Sequence, residues 1–384
     1  MGRKPLRAIP AFYSHGFAIA IAVFFSLAIS SSAEADQKVA VVGPMTGSES
    51  AHGIEYAAGV RRAISEINSK GGLLGQRLTF SIVDDACDAD QSEAAAQQIV
   101  DERPAVVIGH YCSVCSIRAA PVYAKARIVQ ISPTSTNPRL TDLGLPTVFR
   151  MVGRDDNQGR AAVSRIATAW PHGRIGVLDD GGVYGKGLAD VVRDGLKARG
   201  INPVLSESFK PGAQTYSEIV RRMKAASVQA VFIGAYDLDI AVIAREVSAA
   251  GLHLTILAGD ALVAPSFWDA AGKAGENLIF TFSPNPLDLP AGRALMESAR
   301  RDGVEFSGQT VLAYASVEVW ADAVRKAGTF DTAAVAKVLH SDQFASTIGT
   351  VRFDSHGDVQ GTPGDWLWYR WKGGKIEHAF AAAS

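Results

Sequence analysis

From Lys38 onward, short apolar runs rich in Val and Ile alternate with longer stretches whose apolar residues recur every three or four positions. The first pattern is that of buried parallel strands and the second that of helices laid against them, so the chain predicts an α/β protein with its sheets covered on both faces. Val39-Ala40-Val41-Val42 is the first strand, and Pro44, Gly47 and Gly53 break the loop behind it. Ala57, Val60, Ile64 and Ile67 then place one helical face on the sheet, and the glycines of Asn68-Ser69-Lys70-Gly71-Gly72-Leu73-Leu74-Gly75 end that helix. Residues 78–83, 105–109 and 128–131 predict further strands, with helices over 92–100 and after Ser113. Pro133, Pro138 and Pro146 mark a loop-rich passage, and Val148-Phe149-Arg150-Met151 carries the chain toward a second domain. There the alternation restarts, with strands over 174–178, 204–209, 230–233 and 255–258 and helices over 188–197, 217–223 and 240–249. Two tandem arrays predict two similar domains. Pro284, Pro286 and Pro290 punctuate a return crossing, followed by helices over 293–301, 310–326 and 332–339. Residues 366–371 read as an edge strand, whose alternation accounts for its three tryptophans better than stacking on a sugar or base.

The first 35 residues change this picture, because they read as an export signal rather than as structure. Arg3, Lys4 and Arg7 give a positive start, residues 17–29 are apolar, and Ala33-Glu34-Ala35 is a small-x-small cleavage site before Asp36. An anchor helix would need a longer apolar run than one ending in Ser30-Ser31-Ser32. The remainder of the chain is long enough for two domains with their own cores, and the mature chain is expected outside the cytoplasm. Charge removes another class: 38 Lys and Arg against 39 Asp and Glu leave no basic excess for a nucleic acid.

The cysteines Cys87, Cys112 and Cys115 would place one pair and one thiol in an oxidising compartment. Cys112-x-x-Cys115 on its own suggests a redox pair or half a metal site, but only His110 and Cys87 stand near enough in sequence to complete a zinc set. The preferred pairing is Cys87 with Cys112, which would join the loops after two neighbouring strands and contribute roughly 3 kcal/mol by closing a loop of about 25 residues.

Motifs for catalysis are missing. There is no Gly-x-Ser-x-Gly elbow, no His-Glu-x-x-His and no phosphate loop, and Gly43-Pro44-Met45-Thr46-Gly47 and Asp179-Asp180-Gly181-Gly182-Val183-Tyr184-Gly185-Lys186-Gly187 lack the register of a dinucleotide fingerprint. No cofactor and no metal is expected. The remaining candidates are hydroxyls, aromatics and a carboxylate at predicted strand ends, a set that suits a zwitterion. Ser113 would cap a helix whose free amides, with the Thr136 hydroxyl and amide, hold a carboxylate. Asp260, the Thr134 carbonyl and the Tyr236 hydroxyl would accept from an ammonium group. Taken singly, Ser113 is as readily an ordinary N-cap and Tyr236 an ordinary loop aromatic. Their joint placement on facing strand ends favours a binding site.

Several stretches together resemble one family: Ile67-Asn68-Ser69-Lys70-Gly71-Gly72, Asp84-Asp85-Ala86-Cys87-Asp88, Val107-Ile108-Gly109-His110-Tyr111-Cys112-Ser113, Tyr184-Gly185-Lys186-Gly187-Leu188-Ala189 and Gly234-Ala235-Tyr236. The chain looks like a periplasmic substrate-binding protein of the leucine/isoleucine/valine-binding type, which feeds an ABC importer. The resemblance spans essentially the whole mature chain. It implies a type I periplasmic-binding-protein fold, with two Rossmann-like lobes joined by a multi-strand hinge. The first lobe would comprise 36–154 plus 285–364 and the second 155–284 plus 365–384. It implies a periplasmic monomer that closes on an amino acid and is then recognised by a membrane permease.

By position, the family's carboxylate-binding residues fall on Ser113 and Thr136, with Thr134 and Ser135 contributing backbone. Its ammonium-binding residues fall on Tyr236 and Asp260, the latter in place of a Glu, and its disulfide falls on Cys87 and Cys112. Tyr111, beside Cys112, replaces an aliphatic residue, His52 stands where an aromatic covers the ligand, and Tyr314 matches an aromatic near the ligand's side-chain end. A ring at Tyr111 removes volume and adds a polar tip, so a large branched aliphatic side chain should fit less well. The ligand is expected to be an amino acid, branched-chain or smaller and more polar, or an amino-acid-like compound. The same fold also serves ligand-sensing receptors and amide sensors. The export signal and the want of a later membrane helix favour the transporter.

Overall fold

The computed structural model describes residues 1, 2, 8, 36–276, 278–361 and 364–380. The expected export signal lies almost wholly outside them. Five strands form a parallel sheet in the order β2-β1-β3-β4-β5: β1 (Gln37–Gly43), β2 (Leu78–Asp84), β3 (Val106–Ile108), β4 (Val129–Ser132) and β5 (Val148–Arg150). Between them run α1 (Ser50–Ser69), α2 (Ala89–Glu102), α3 (Ser113–Lys125) and the single turn α4 (Arg139–Asp142). The central strands are buried along their length, which is why they read as continuous apolar runs rather than as alternation.

A second sheet starts after α5 (Asp155–Ala169) with β6 (Ile175–Asp179), α6 (Val183–Lys197), β7 (Leu205–Ser208), α7 (Ser217–Ala225), β8 (Ala230–Gly234), α8 (Asp237–Ala249), β9 (Thr255–Ala258), α9 (Pro265–Ala271) and β10 (Ile279–Phe282). These strands are parallel to one another. The chain then returns to the first sheet through α10 (Pro290–Arg301), α11 (Gly308–Ala327), α12 (Thr332–Ser341) and the hairpin of β11 (Gln343–Ser346) and β12 (Gly349–Arg352). It ends as β13 (Leu367–Lys372) and β14 (Lys375–His378), antiparallel strands that complete the order β14-β13-β10-β9-β8-β6-β7. The chain therefore crosses between the sheets three times.

Helix α11 packs along α1, and Gly59 permits the approach, because a Cβ there would run into the Thr310 carbonyl. A capping box of Ser307 and Thr310 starts α11 and left-handed Gly328 ends it.

Two expectations change. The tryptophan-rich strand β13 is not an edge: β10 and β14 flank it, and Trp371 is buried, its indole donating to the Leu262 carbonyl at 2.8 Å. Helix α5 and strand β10 do not stand out from the hydrophobic pattern. The first turns of α5 carry Asp155, Asp156, Asn157 and Gln158, and polar residues there obscure its apolar face.

Candidate functional site

Five interior strands of the two sheets, β3, β4, β6, β8 and β9, end at the same gap. Tyr111 and Ser113 follow β3, Thr134 follows β4, Tyr184 follows β6, Tyr236 follows β8, and Asp260 and Ala261 follow β9; together they line one crevice. This is where an α/β sheet offers its ligand site, because loops and helix starts gather at the carboxyl ends of parallel strands. The crevice is tight, with about 10 Å3 open to the centre of a water molecule.

One wall is built from backbone geometry. Gly109 has φ +143° and no room for a Cβ against the Val42 carbonyl, so only glycine lets the chain leave β3 here. The disulfide between Cys87 and Cys112 ties the next turn to the loop after β2, with Cα atoms 5.5 Å apart. His110 is buried between Asp85 Oδ2 (2.5 Å) and the Tyr123 hydroxyl (3.0 Å), so it serves the frame. The cap of α3 is Cys112, not Ser113, and it supplies no side-chain acceptor to the first-turn amides. Ser113 opens the helix instead, and its hydroxyl accepts only a long 3.4 Å bond from the Asn137 amide. Cys112 has the extended backbone of a cap residue while Ser113 already has helical backbone.

The loop after β4 is fixed from behind by Arg150. Fully buried, its guanidinium donates to the Ser135 and Asn137 carbonyls at 2.8 and 3.0 Å and pairs with Asp358 at 2.6 Å. Ser135 is used up structurally, its hydroxyl bonding the Ser116 hydroxyl and the His110 and Tyr111 carbonyls. Thr134 faces the crevice and shares a hydrogen bond with the Tyr56 hydroxyl.

The opposite wall is acidic. Asp260 accepts from the Tyr184 hydroxyl at 2.9 Å and from Gln158 Nε2 at 3.0 Å. Behind it Asp155 is wholly buried, and neither of its carboxylate oxygens has a hydrogen-bond partner among the described residues. The Thr136 hydroxyl lies close enough to favour the Asp155 charge but outside hydrogen-bond geometry. Burial, then the neighbouring Asp260 charge, pushes the Asp155 pKa well above the carboxylate range, and burial raises that of Asp260. Two desolvated carboxylates side by side make this end of the crevice a place for a cation.

Aromatic rings close the remainder. Tyr111 stacks on His52 with centroids 4.3 Å apart and meets Tyr236 at 5.8 Å, while Tyr184 and Tyr236 lie 5.2 Å apart. His52 thus stands behind Tyr111 rather than over the crevice, held by Gln309 Oε1 (2.8 Å) and Asp237 Oδ1 (3.2 Å). Burial pulls its pKa down, but the hydrogen bond to Asp237 and the charges of Asp237 and Glu49 outweigh that and hold it at about 9. Tyr314 is not at the crevice: its place on α11 turns it to the last turns of α1, where its hydroxyl donates to Glu66 at 2.8 Å. Cys115 is a buried free thiol, pushed well above its usual range by burial.

The family model described as periplasmic binding protein matches residues 36–375. The chain belongs to the periplasmic binding protein family. Among curated relatives, the amino acid binding protein of Pseudomonas aeruginosa is 33% identical over 92% of this chain and 95% of its own. The Leu/Ile/Val-binding protein BraC3 of Rhizobium johnstonii is 33% identical over 91% and 96%. The leucine binding protein LivK of Thermotoga maritima superposes with a TM-score of 0.81 at 26% identity, covering 89% of this chain and 97% of that one. A Rhodopseudomonas palustris solute-binding protein in complex with benzoate has the same fold, with a TM-score of 0.79 at 18% identity and coverage of 89% and 95%. The type I fold expected from the sequence is the fold observed. Among the described residues no helix is long and apolar enough to cross a membrane.

For this periplasmic binding protein, sequence reasoning brought Tyr111, Ser113, Thr134, Tyr236 and Asp260 to one crevice and missed Tyr184, Asp155 and Gln158. Tyr184 had a usable signal, since it follows β6 as Tyr236 follows β8. Asp155 and Gln158 had none, being polar residues at a helix start.

Proposed function

We propose that the protein is the extracytoplasmic solute-binding component of an ABC importer, exported to the periplasm, and that its ligand is an amino acid. One arrangement carries the reading: a hydroxyl and uncapped helix amides at Ser113 face the buried carboxylate of Asp260 across a single crevice, with the unpartnered carboxylate of Asp155 behind it. The ligand carboxylate would lie against Ser113, the first turn of α3 and Thr134, where hydrogen-bond donors and the helix dipole favour an anion. Its ammonium group would lie against Asp260 and Asp155, supplying the charge those oxygens lack. A simple aromatic acid brings no cation to Asp260 and Asp155, which argues for a zwitterion over the benzoate bound by the Rhodopseudomonas palustris protein of the same fold. The rings of Tyr111, Tyr184 and Tyr236 favour a small or polar side chain. The same proposal divides the protein into lobes at 36–154 plus 285–364 and 155–284 plus 365–384, in keeping with the two sheets and three crossings, and gives the closed form to a membrane permease.

Isothermal titration against amino acids, small amides and aromatic acids tests this reading. At least one amino acid should bind saturably, and Ser113→Ala and Asp260→Asn should each weaken it by about 1–3 kcal/mol or more, since each leaves a buried charge short of a partner. Binding of aromatic acids alone, or unchanged affinity in both variants, would refute it.

A further inference from the structure

A second cluster bridges the crevice outside the site just described. Glu49 precedes α1 on the first-sheet side, His52 lies in the first turn of α1, and Asp237 opens α8 on the second-sheet side. His52 Nε2 stands 3.2 Å from Asp237 Oδ1 and 3.6 Å from Glu49 Oε2, and the three atoms all lie within 4.8 Å of one another. All three residues are buried. We propose that Glu49, His52 and Asp237 form a divalent-cation site of the zinc class that links the two sides of the crevice. This goes beyond the amino-acid reading and does not depend on it.

The spacing fits. Ligand atoms placed tetrahedrally at zinc distances are roughly 3.4 Å apart, close to the two separations measured from Nε2. With Nδ1 engaged by Gln309 Oε1 at 2.8 Å, Nε2 is the nitrogen turned to the carboxylates, and that outer hydrogen bond fixes the ring. Asp237 is oriented in the same way, its second oxygen accepting from the Ser266 hydroxyl at 2.5 Å. Glu49 Oε2 is the independent sign of a ligand. It is buried, aimed at the same point and without a hydrogen-bond partner among the described residues. A proton on Nε2 serves one carboxylate and leaves Glu49 unpaired, whereas a metal ion serves both and displaces that proton. One imidazole with two carboxylates suits zinc better than calcium or magnesium, which prefer oxygen alone.

The surroundings supply a route and a consequence. Glu49 also lines a cavity of about 440 Å3 that shares Tyr184 and Tyr236 with the crevice and carries Asp180 and Asp239, so this side of the cluster is acidic. Tyr111 stacks on His52, so a metal holding the imidazole also holds the ring that limits the ligand site.

Titration with zinc chloride by calorimetry, on the intact protein without amino acid, decides the matter. One zinc per chain is expected, with Asp237→Asn and His52→Ala each weakening it at least about tenfold, the loss that even an outer-shell change produces. Asp237→Asn is nearly isosteric and keeps the test valid if His52→Ala fails to fold. His172→Ala, at an exposed histidine, should leave binding unchanged. Cobalt(II) should give a visible absorption band that both cluster variants lose. No saturable zinc binding, or zinc binding that both variants retain, overturns the site.

Discussion

Asp180 and Tyr111 each show how one side chain sets a measurable property of this protein. Asp180 sits in the loop before α6, 5% exposed, its Oδ1 accepting from the Gly182 amide at 2.7 Å. Burial, which outweighs that hydrogen bond, raises its pKa to about 6, with the charges of Asp239 and Asp179 adding to the rise. The unfolded chain releases this proton near pH 4, so the folded state holds the extra proton between those values. Stability is therefore lost as pH rises from about 4 to about 6 and then levels. Asp180→Asn keeps the acceptor and removes the charge. It should stabilise the protein by about 1–3 kcal/mol at pH 7 and by little at pH 4, as read by urea unfolding at both values. A gain of equal size at both would show that charge burial is not the cause. Tyr111 determines space rather than charge. Tyr111→Leu trades a ring between His52 and Tyr236 for a smaller branched chain, and should shift preference toward leucine over alanine by about 1–3 kcal/mol in titration calorimetry. An unchanged ratio would move the side-chain pocket away from Tyr111.

At the scale of elements, the loop after β4 carries the site, and one buried arginine holds it. Arg150 leaves the end of β5, donates to carbonyls at Ser135 and Asn137, and pairs with Asp358 from the segment after β12. Arg150→Met removes one member of a buried pair and leaves the Asp358 charge uncompensated on that side. The expected cost is about 3–5 kcal/mol in urea unfolding, with weaker ligand binding as the loop loses its support. Arg154 also reaches Asp358, at 3.1 Å, and a much smaller cost would mean that it takes over. Elements of this kind were only partly legible in the sequence. The buried strands and the helix faces follow from periodicity, because burial on one or two sides imposes it directly. Arg150 reads as part of an extended run, and nothing local shows that its guanidinium turns inward. The cap of α3, expected at Ser113, lies one residue earlier at Cys112, since a helix boundary depends on backbone angles that residue type does not fix. Asp155 reads as an ordinary acidic residue of a first helical turn; its burial beside Asp260 is decided by how the second sheet packs, more than 100 residues away in the chain.

At the scale of the whole molecule, the three crossings between the sheets make relative motion of the two sides the natural route to the crevice. With about 10 Å3 open to the centre of a water molecule among the lining residues, the crevice as it stands has little room for an amino acid. Among the described residues, polar contacts that join the two sides include Asn137 Nδ2 donating to the Val183 carbonyl at 2.8 Å, the Trp366 indole donating to the Arg154 carbonyl at 3.1 Å, and His52 facing Asp237, beside the ring contact of Tyr111 with Tyr236. The two backbone-directed bonds exchange for water at small cost when the sides part, so the ligand's bridging bonds can help decide the equilibrium. A ligand shifts it only by binding one arrangement better than the other, and here only the closed arrangement offers Ser113 and Asp260 together. Small-angle scattering should therefore give a larger radius of gyration for the ligand-free protein than for the saturated one. Thermal stability should rise in step, by about 2.7 kcal/mol at a ligand concentration of 100 times Kd. Asp260→Asn separates the two effects. If closure is driven by the second side gripping the ammonium group, that variant should keep the larger radius at ligand concentrations that compact the wild type. A radius that stays constant in the wild type while the thermal shift appears would mean that the ligand enters a crevice already set, and the hinge would then play no part in recognition.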